Sequence, residues 1–392
     1  MLFKRKIFDT ILPWLSKDQI IVITGMRRTG KTVLVKQLAE KLETKNFLYL
    51  DLESLDNREI FNVKNYDSIL TRLAQKGLDS KSPICLILDE IQLFPEIISR
   101  LKYLYDHYQI KFIVTGSSSY YLKNLFSESL AGRKIIFELQ PLDFGEYLEF
   151  KEIPYKTNKK VDLSLGAVGY SELTSFYEEY IQFGGFPSVV LEPSAKIKKL
   201  LLDDIISSYI NQDIRVLADF ENLGKIQDTI KLLATRVGTR LDVSKLAGTV
   251  GVARSTMNGY LEFLEKTYIL SLVPVFTGSQ DKIVAKAKKI YFCDTGLANS
   301  LAQLSSGAQF ENTIYGQLRH FGEVSYFTKR SGNEIDFILN KNIAFEAKET
   351  PNPADLKKLA KIAHQLGINQ YAVIGRHKPA NFEDFLWGGN LK

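Results

Sequence analysis

The chain is poor in cysteine. Cys85 and Cys293, the two it has among 392 residues, cannot make a disulfide framework, and they suit a reducing compartment such as the cytoplasm. Histidine is nearly as scarce, with four scattered residues and no spacing that would join them to the cysteines as zinc ligands. Long apolar runs are missing, so no segment reaches the roughly eighteen residues that a membrane span needs. Lys4, Arg5 and Lys6 look like the start of a secretory leader, but Asp9 and Pro13 break the apolar run behind them and no small-residue cleavage site follows. Internal repeats and low-complexity stretches are absent too. Charge of one sign is barely in excess: 51 Lys and Arg against 45 Asp and Glu, a net +6. That permits a nucleic-acid or acidic partner without requiring one. A composition 45% hydrophobic and 24% charged excludes collagen-like, mucin-like and wholly disordered classes. The length predicts two or three domains.

What is present reads first as alternating strand and helix. Residues 20–24 are continuously apolar, and 47–50, 84–88 and 112–114 are further short apolar runs. Such runs suit strands buried on both faces of a parallel sheet. Between them, Leu34, Val35, Leu38, Ala39 and Leu42 form a helical stripe over 31–42. Near the start, Ile7, Phe8, Ile11, Leu12, Trp14 and Leu15 also keep helical spacing. A membrane-surface helix or one docked on its own core would both give this pattern. The second is expected, since only a short basic cluster favours lipid, and no membrane partner is expected. The lysine-rich stretch 151–170, with Lys156, Lys159 and Lys160, reads as a linker or exposed insertion. Residues 171–237 read as helical, interrupted at Gly184, Gly185 and Pro187.

Gly25-Met26-Arg27-Arg28-Thr29-Gly30-Lys31-Thr32 fits the phosphate-binding pattern G-x-x-x-x-G-K-[ST] in full, with a strand before it and a helix after it. Gly25 and Gly30 let the backbone curl until successive N–H groups face an anion. The start of the next helix adds its positive dipole end, so the expected cradle runs from Gly25 to Val33. Lys31 is expected on the β- and γ-phosphates and the Thr32 hydroxyl on Mg2+. A second apolar strand ends in Asp89-Glu90, which reads as a Walker B element: Asp89 for the metal, Glu90 to orient and polarise the attacking water. A third, 111–115, ends in Gly116-Ser117-Ser118-Ser119. Thr115 and Ser117 there are candidates for a hydrogen bond to the γ-phosphate or the water, and a helix cap at Ser117 or Ser118 is the alternative.

In order, GMRRTGKT, LILDEIQLFPEIISRLKYLYD, FIVTGSSS, SLAGR and LQPLDFGEYL resemble a widespread prokaryotic AAA-type ATPase in which an AAA domain is fused to a carboxy-terminal domain of unknown function. FGGFP at 183–187, YFCDTGL at 291–297 and GNEIDF at 332–337 extend the match over most of the chain. The resemblance implies an ATP-binding core, a winged-helix middle and a nuclease-like tail. Arg133, in the SLAGR segment, is then a candidate cation for the γ-phosphate, in cis or in trans across a subunit interface, with a surface role as the alternative. Arg27 and Arg28 lie inside the phosphate loop, where one can pair with Walker B or a neighbouring subunit.

Residues 238–275 carry a helix-turn-helix pattern. Asp242 caps a helix with Val243, Leu246 and Ala247, Gly251 turns the chain, and Met257, Tyr260, Leu261 and Leu264 face inward from a second helix. Residues 268–273 follow as a wing would. Arg254, Ser255 and Asn258 can face base edges, whereas Glu262 and Glu265 oppose phosphate. Lys282, Lys286, Lys288 and Lys289 form a basic stretch suited to a nucleic-acid backbone.

The tail alternates polar and apolar residues over 334–339 and 343–348, a hairpin signal. With the turn centred on Lys341, Asp336 opposes Glu346, Glu334 opposes Lys348, and Ile335, Phe337, Phe345 and Ala347 share the other face. Facing carboxylates destabilise a plain hairpin, which points to a divalent cation between them. Asp336, Glu346 and Lys348 resemble the motif of PD-(D/E)xK nucleases, with Glu311 as an upstream acid. A solvated strand face with Lys348 bridging Glu334 or Glu346 is the alternative.

These readings predict an α/β protein with a parallel-sheet P-loop ATPase domain over 1–150 and a linker and helical region over 151–237. A winged helix over 238–300 and a small α/β restriction-endonuclease-like domain over 301–392 complete it. The expected activity is Mg2+-dependent ATP hydrolysis in the cytoplasm, coupled to the carboxy-terminal parts. Duplex DNA and further copies of the chain are candidate partners. An ATP-gated switch on a protein partner and a metal-dependent endonuclease are the alternatives.

Overall fold

The computed structural model describes residues 3–117, 130, 132–155, 160–215, 222–278, 286–329 and 333–391. Ser118, Ser119, Ser129, Ala131, Lys156, Lys159, Lys282 and Gly332 lie outside them. The chain forms two compact units, one of residues 1–140 with 266–268, the other of 141–265 with 269–392.

The first unit is a five-stranded sheet in the order β2-β3-β4-β1-β5, where β1 is Ile20–Thr24, β2 Phe47–Asp51, β3 Cys85–Asp89, β4 Lys111–Gly116 and β5 Lys134–Glu138. Every pairing is parallel. The side-chain period of two explains why the strands read as unbroken apolar runs. Ile20, Val22, Leu86, Leu88, Phe112 and Val114 join one core, with Phe61, Leu73, Leu101 and Leu104 of the covering helices. Their neighbours Ile21, Ile23, Cys85, Ile87 and Ile113 join another, with Leu34, Val35 and Leu38 of the helix Lys31–Ala39. Phe8 and Ile11 pack into that second core, so the first helix, Ile7–Ile11, docks on its own domain as expected. This parallel sheet with helices packed on both faces is the α/β architecture expected for the first domain.

The second unit begins at residue 141, ahead of the expected boundary at 150. The reason lies in the helix Phe144–Phe150: Phe144 and Tyr147 bury their rings against Tyr177, Tyr180 and Trp387 of this unit. The 151–170 stretch is only partly a spacer. It holds the short helix Leu163–Leu165, and the Gly166 carbonyl accepts hydrogen bonds from the Trp387 N–H at 2.8 Å and from Asn390 Nδ2 at 3.0 Å. The helices Tyr170–Phe183, Pro187–Leu191, Ala195–Ser208 and Leu223–Ala234 follow. Val243–Val250 is capped by the Asp242 carboxylate on the Lys245 N–H, and its last turn closes on a left-handed Gly251. Arg254–Lys266 buries Met257, Tyr260, Leu261 and Leu264 as expected. Strands β6 (Leu270–Val273) and β7 (Lys289–Phe292) then pair antiparallel.

The tail is a mixed five-stranded sheet in the order β12-β11-β10-β9-β8, where β8 is Val324–Thr328, β9 Glu334–Leu339, β10 Ile343–Lys348, β11 Gln370–Gly375 and β12 Leu386–Trp387. The β9–β10 register pairs Ile343 with Leu339, Ala344 with Ile338 and Phe345 with Phe337, the register that a turn at Lys341 demands. Asn340 and Lys341 both take left-handed φ in that turn. One expectation fails. Between β8 and β9 the ladder slips by one, so Tyr326 stands opposite both Asp336 and Phe337. Such a bulge turns the strand over. Ile335 therefore joins Ile338, Ala344, Leu359 and Ile362 in one core, while Phe337 packs on Tyr291.

The FGGFP and YFCDTGL segments meet inside this unit. The buried Asp294 carboxylate caps the helix Thr295–Leu301 through the Leu297 N–H at 3.0 Å and accepts the Gly185 N–H at 2.6 Å. Gly184, at φ +74°, lies so close to Asp294 that any Cβ would collide with the carboxylate. Burial pushes the Asp294 carboxyl up to about 6, against the pull of its backbone donors.

Candidate functional site

In a parallel sheet the carboxyl ends of the strands line the ligand crevice. Here β1, β4 and β3 are neighbours, and their ends bring the expected residues together. β1 runs into Gly25, whose φ of +143° and closeness to the Leu139 carbonyl leave no room for a Cβ. Arg28 and Gly30 take φ of 65° and 97°, which curls the loop before the helix Lys31–Ala39 begins. The buried Thr29 hydroxyl donates to the Met26 carbonyl at 2.9 Å. Lys31, 4% exposed, donates to the carbonyls of Gly25 at 2.9 Å and Met26 at 3.0 Å, so its ammonium lies within the curl. Val33, at the end of the expected cradle, is largely exposed.

Walker A and Walker B are joined directly. The Thr32 hydroxyl donates to Asp89 Oδ2 at 2.8 Å. Thr115 donates to Asp89 Oδ1 and accepts the Glu90 N–H at 3.1 Å, so β4 fixes both acidic residues. Glu90 has φ 56°, an uncommon conformation for a non-glycine residue and one that clusters at functional sites. Arg27 lies 3.9 Å from Glu90 and 3.5 Å from Glu53, so of the two loop arginines it is Arg27 that faces Walker B.

Three residues here carry no sequence signal of their role. Tyr49, in the middle of β2, donates its hydroxyl to Asp89 Oδ2 at 2.5 Å. Burial and that bond push the phenol up, so it remains a donor at neutral pH. Gln92, 2% exposed, donates through Nε2 to Glu90 Oε2 and to Ser117 Oγ at 3.0 Å, and accepts the Ser117 N–H at 3.3 Å. Ser117 thus reaches the acidic pair through an amide. Arg5, from far upstream, clamps the loop by donating to the carbonyls of Thr29 at 2.8 Å and Gln140 at 2.7 Å.

Arg133 lies apart from the other expected residues. It precedes β5 at the amino end of the sheet, where its carbonyl accepts the Ile20 N–H, and its guanidinium pairs with Asp106 at 2.8 Å. Strand β1 alone separates that end from the phosphate loop by roughly 13 Å at about 3.3 Å per residue.

In the second unit, Glu311, Asp336, Glu346 and Lys348 do converge. The Lys348 ammonium lies 2.9 Å from Glu346 Oε1, and Asp336 Oδ2 accepts the Ala347 N–H at 3.1 Å. The surprise is Lys289, expected on a nucleic-acid backbone. It is 3% exposed on its side chain and pairs with Glu311 at 3.2 Å, Glu334 at 2.6 Å and Asp336 at 3.2 Å. Its position as the first residue of β7, facing inward, overrides its membership of a basic run. Burial alone would lower its pKa, but the carboxylates around it, Asp336 foremost, hold it above the ordinary lysine value. Burial and Asp336 push Glu346 up to about 7. Among the described residues no group of three or more His, Cys, Asp or Glu is arranged to hold a metal ion, and no helix is long and apolar enough to cross a membrane. Arg254, Ser255, Asn258 and Glu262 are exposed on one helix.

Comparison with known proteins puts the end of the first domain eight residues later than the compact units do. Residues 17–148 match the family model of an AAA domain. Residues 174–308 and 306–387 match two domains of unknown function, DUF8612 and DUF4143. An uncharacterized protein of Methanocaldococcus jannaschii, MJ1544, is 27% identical over 369 residues, covering 90% of this chain and 80% of its own. An uncharacterized protein of Haemophilus influenzae is 26% identical over 379 residues, covering 91% and 90%. Among solved structures, a RuvB of Thermotoga maritima covers 70% of this chain and 90% of its own at 16% identity, with a TM-score of 0.34. The ORC2 protein of Aeropyrum pernix covers 68% and 84% at 13% identity, with a TM-score of 0.35. The amino-terminal part of this chain is thus similar to an AAA domain, and residues 174–387 are similar to domains without assigned function.

Proposed function

We propose that the chain binds ATP with Mg2+ on the loop Gly25–Thr32 and hydrolyses it. One observation carries this reading. The Thr32 hydroxyl and the Asp89 carboxylate, 57 positions apart in sequence, share a 2.8 Å hydrogen bond at the mouth of a phosphate loop. The residues present fit a metal-bound triphosphate, because a hydroxyl and a carboxylate already converge beside a loop that tolerates no side chain at Gly25. Bound magnesium draws charge from the phosphate oxygens and so eases transfer of the γ-phosphoryl. The chain does the positioning. Lys31 exchanges its carbonyl partners for phosphate oxygens, Thr32 and Asp89 hold the metal's ligand shell, and Tyr49 and Thr115 keep the Asp89 carboxylate oriented. Glu90 takes the proton of the attacking water, with Gln92 and Arg27 fixing its carboxylate. Ser117 acts through Gln92. The pairing of Arg133 with Asp106 at the far end of β1 favours a role toward a second copy of the chain.

For the second unit, the helices Val243–Val250 and Arg254–Lys266 with the β6–β7 hairpin support a winged helix, and the mixed sheet supports a nuclease-like fold. Exposed Arg254, Ser255 and Asn258 favour duplex DNA as the partner to which nucleotide turnover is coupled. The test is ATP hydrolysis measured with and without duplex DNA. Glu90→Gln is expected to keep ATP binding and lose turnover, and DNA is expected to raise the rate of the parent chain. Unchanged turnover in Glu90→Gln would remove Glu90 from its role. No stimulation by any DNA or RNA would favour the ATP-gated switch on a protein partner.

A further inference from the structure

The carboxylate cluster of the second unit is built around an ammonium ion. The three protons of Lys289 match three carboxylate oxygens, one each from Glu311, Glu334 and Asp336, at 3.2, 2.6 and 3.2 Å. Glu311 comes from the helix Ser306–Leu318 and Glu334 and Asp336 are alternate residues of β9, so nothing in local sequence brings them to Lys289. The surroundings are shaped to suit. The Tyr326 ring lies 5.7 Å from the ammonium, and Tyr326 is the residue opposite the bulge that displaces Asp336. Gly238, at φ +75°, leaves space that a Cβ would close to 2.9 Å from Glu311 Oε2. One of the oxygens that face the ammonium has a second partner: Tyr291 donates to Glu311 Oε1 at 2.6 Å. Asp336 turns its other oxygen to the Ala347 N–H, and Glu346 is bound by Lys348.

A divalent cation held by carboxylates needs oxygens about 2.0–2.6 Å from one point. At this cluster the central point is a buried nitrogen atom, and its departure would unpair three partly buried acids. We infer that Lys289 is a built-in cation that neutralises Asp336 in place of a divalent metal, so the tail binds no metal through Asp336 and does not cut nucleic acid. The inference rests on the nuclease-like reading of the mixed sheet and decides against its catalytic form. It assigns the cluster a different task, holding β7, the helix Ser306–Leu318 and β9 together without a dissociable ion.

Mn2+ is the probe, titrated into the full chain without nucleotide and followed by its electron paramagnetic resonance. The parent and Asp336→Asn are expected to retain the same amount of Mn2+. Lys289→Met is expected to gain one Mn2+ per chain, bound at least tenfold tighter than any ion in the parent, and Lys289→Met with Asp336→Asn is expected to lose it. The parent is expected not to nick supercoiled DNA in Mg2+ or Mn2+. Parent Mn2+ binding that Asp336→Asn removes, or nicking that Asp336→Ala abolishes, would overturn the inference alone. A folded Lys289→Met chain with no added Mn2+ would overturn the nuclease-like reading and the inference with it. Should Lys289→Met not fold, the comparison of parent with Asp336→Asn still decides.

Discussion

Gln92→Ala tests the chemistry of the ATPase site at a residue with no motif to recommend it. The side chain is buried and makes three contacts: one to the Glu90 carboxylate, one to the Ser117 hydroxyl and one from the Ser117 N–H. A hydrogen bond to a charged group contributes about 1.5–3 kcal/mol, and a neutral one about 0.5–1.5 kcal/mol. The first figure sets the effect on catalysis, because only that bond orients the proposed base. Converted at about 1.4 kcal/mol per tenfold, it predicts a fall in kcat of roughly 10- to 100-fold. Gln92 touches none of the loop Gly25–Thr32, so KM for ATP is expected to stay within about threefold. Gln92→Glu keeps the size but sets a carboxylate against Glu90, and its kcat is expected to fall as well. Steady-state ATP hydrolysis and nucleotide titration on the same preparations separate the two parameters. If Gln92→Ala kept kcat within twofold of the parent, the idea that this amide positions Glu90 would be wrong. A change confined to KM would move its role to nucleotide binding.

Other residues give independent tests. Arg5→Ala removes two charge-assisted bonds, one to the phosphate loop at Thr29 and one to Gln140, so it is expected to lose about 2–4 kcal/mol in urea unfolding and to weaken ATP binding; unaltered affinity would show that the clamp is only structural. Gly184→Ala is expected to cost more than about 3 kcal/mol, because the left-handed backbone and the Asp294 carboxylate both resist a Cβ. Asp294 has a pH signature. Its carboxyl titrates near 6 in the fold and near 3.9 when unfolded, so the folded chain holds the extra proton between those values. Stability from this group is therefore greatest on the acid side and declines as pH rises from about 4 to about 6, by up to about 3 kcal/mol, then stays level. Asp294→Asn should lack that decline, and parallel urea midpoints for the two chains across this range would contradict it.

The phosphate loop was legible because its chemistry is local. Glycines, lysine and threonine act within eight consecutive positions, and a strand and a helix must flank them. The β9–β10 register was legible for a similar reason, since a tight turn at Asn340 and Lys341 leaves few alternatives. What sequence could not supply was any relation between distant segments. β5 was missed because it is a half-exposed edge strand whose pattern is short and mixed. Tyr49, Gln92 and Arg5 join the site only through strand order and loop closure. Lys289 misled because a lysine among lysines reads as surface, and only the fold shows three carboxylates waiting for it. Ile335 misled because a bulge breaks the alternation on which face assignment rests.

The most direct measurement is calorimetric titration of Mg2+ and ATP into the parent chain and into Lys31→Ala. One nucleotide per chain in the parent, with affinity lost at least tenfold in the variant, is the result the account predicts. A parent that takes up no nucleotide, or a variant that binds as tightly as the parent, would contradict it.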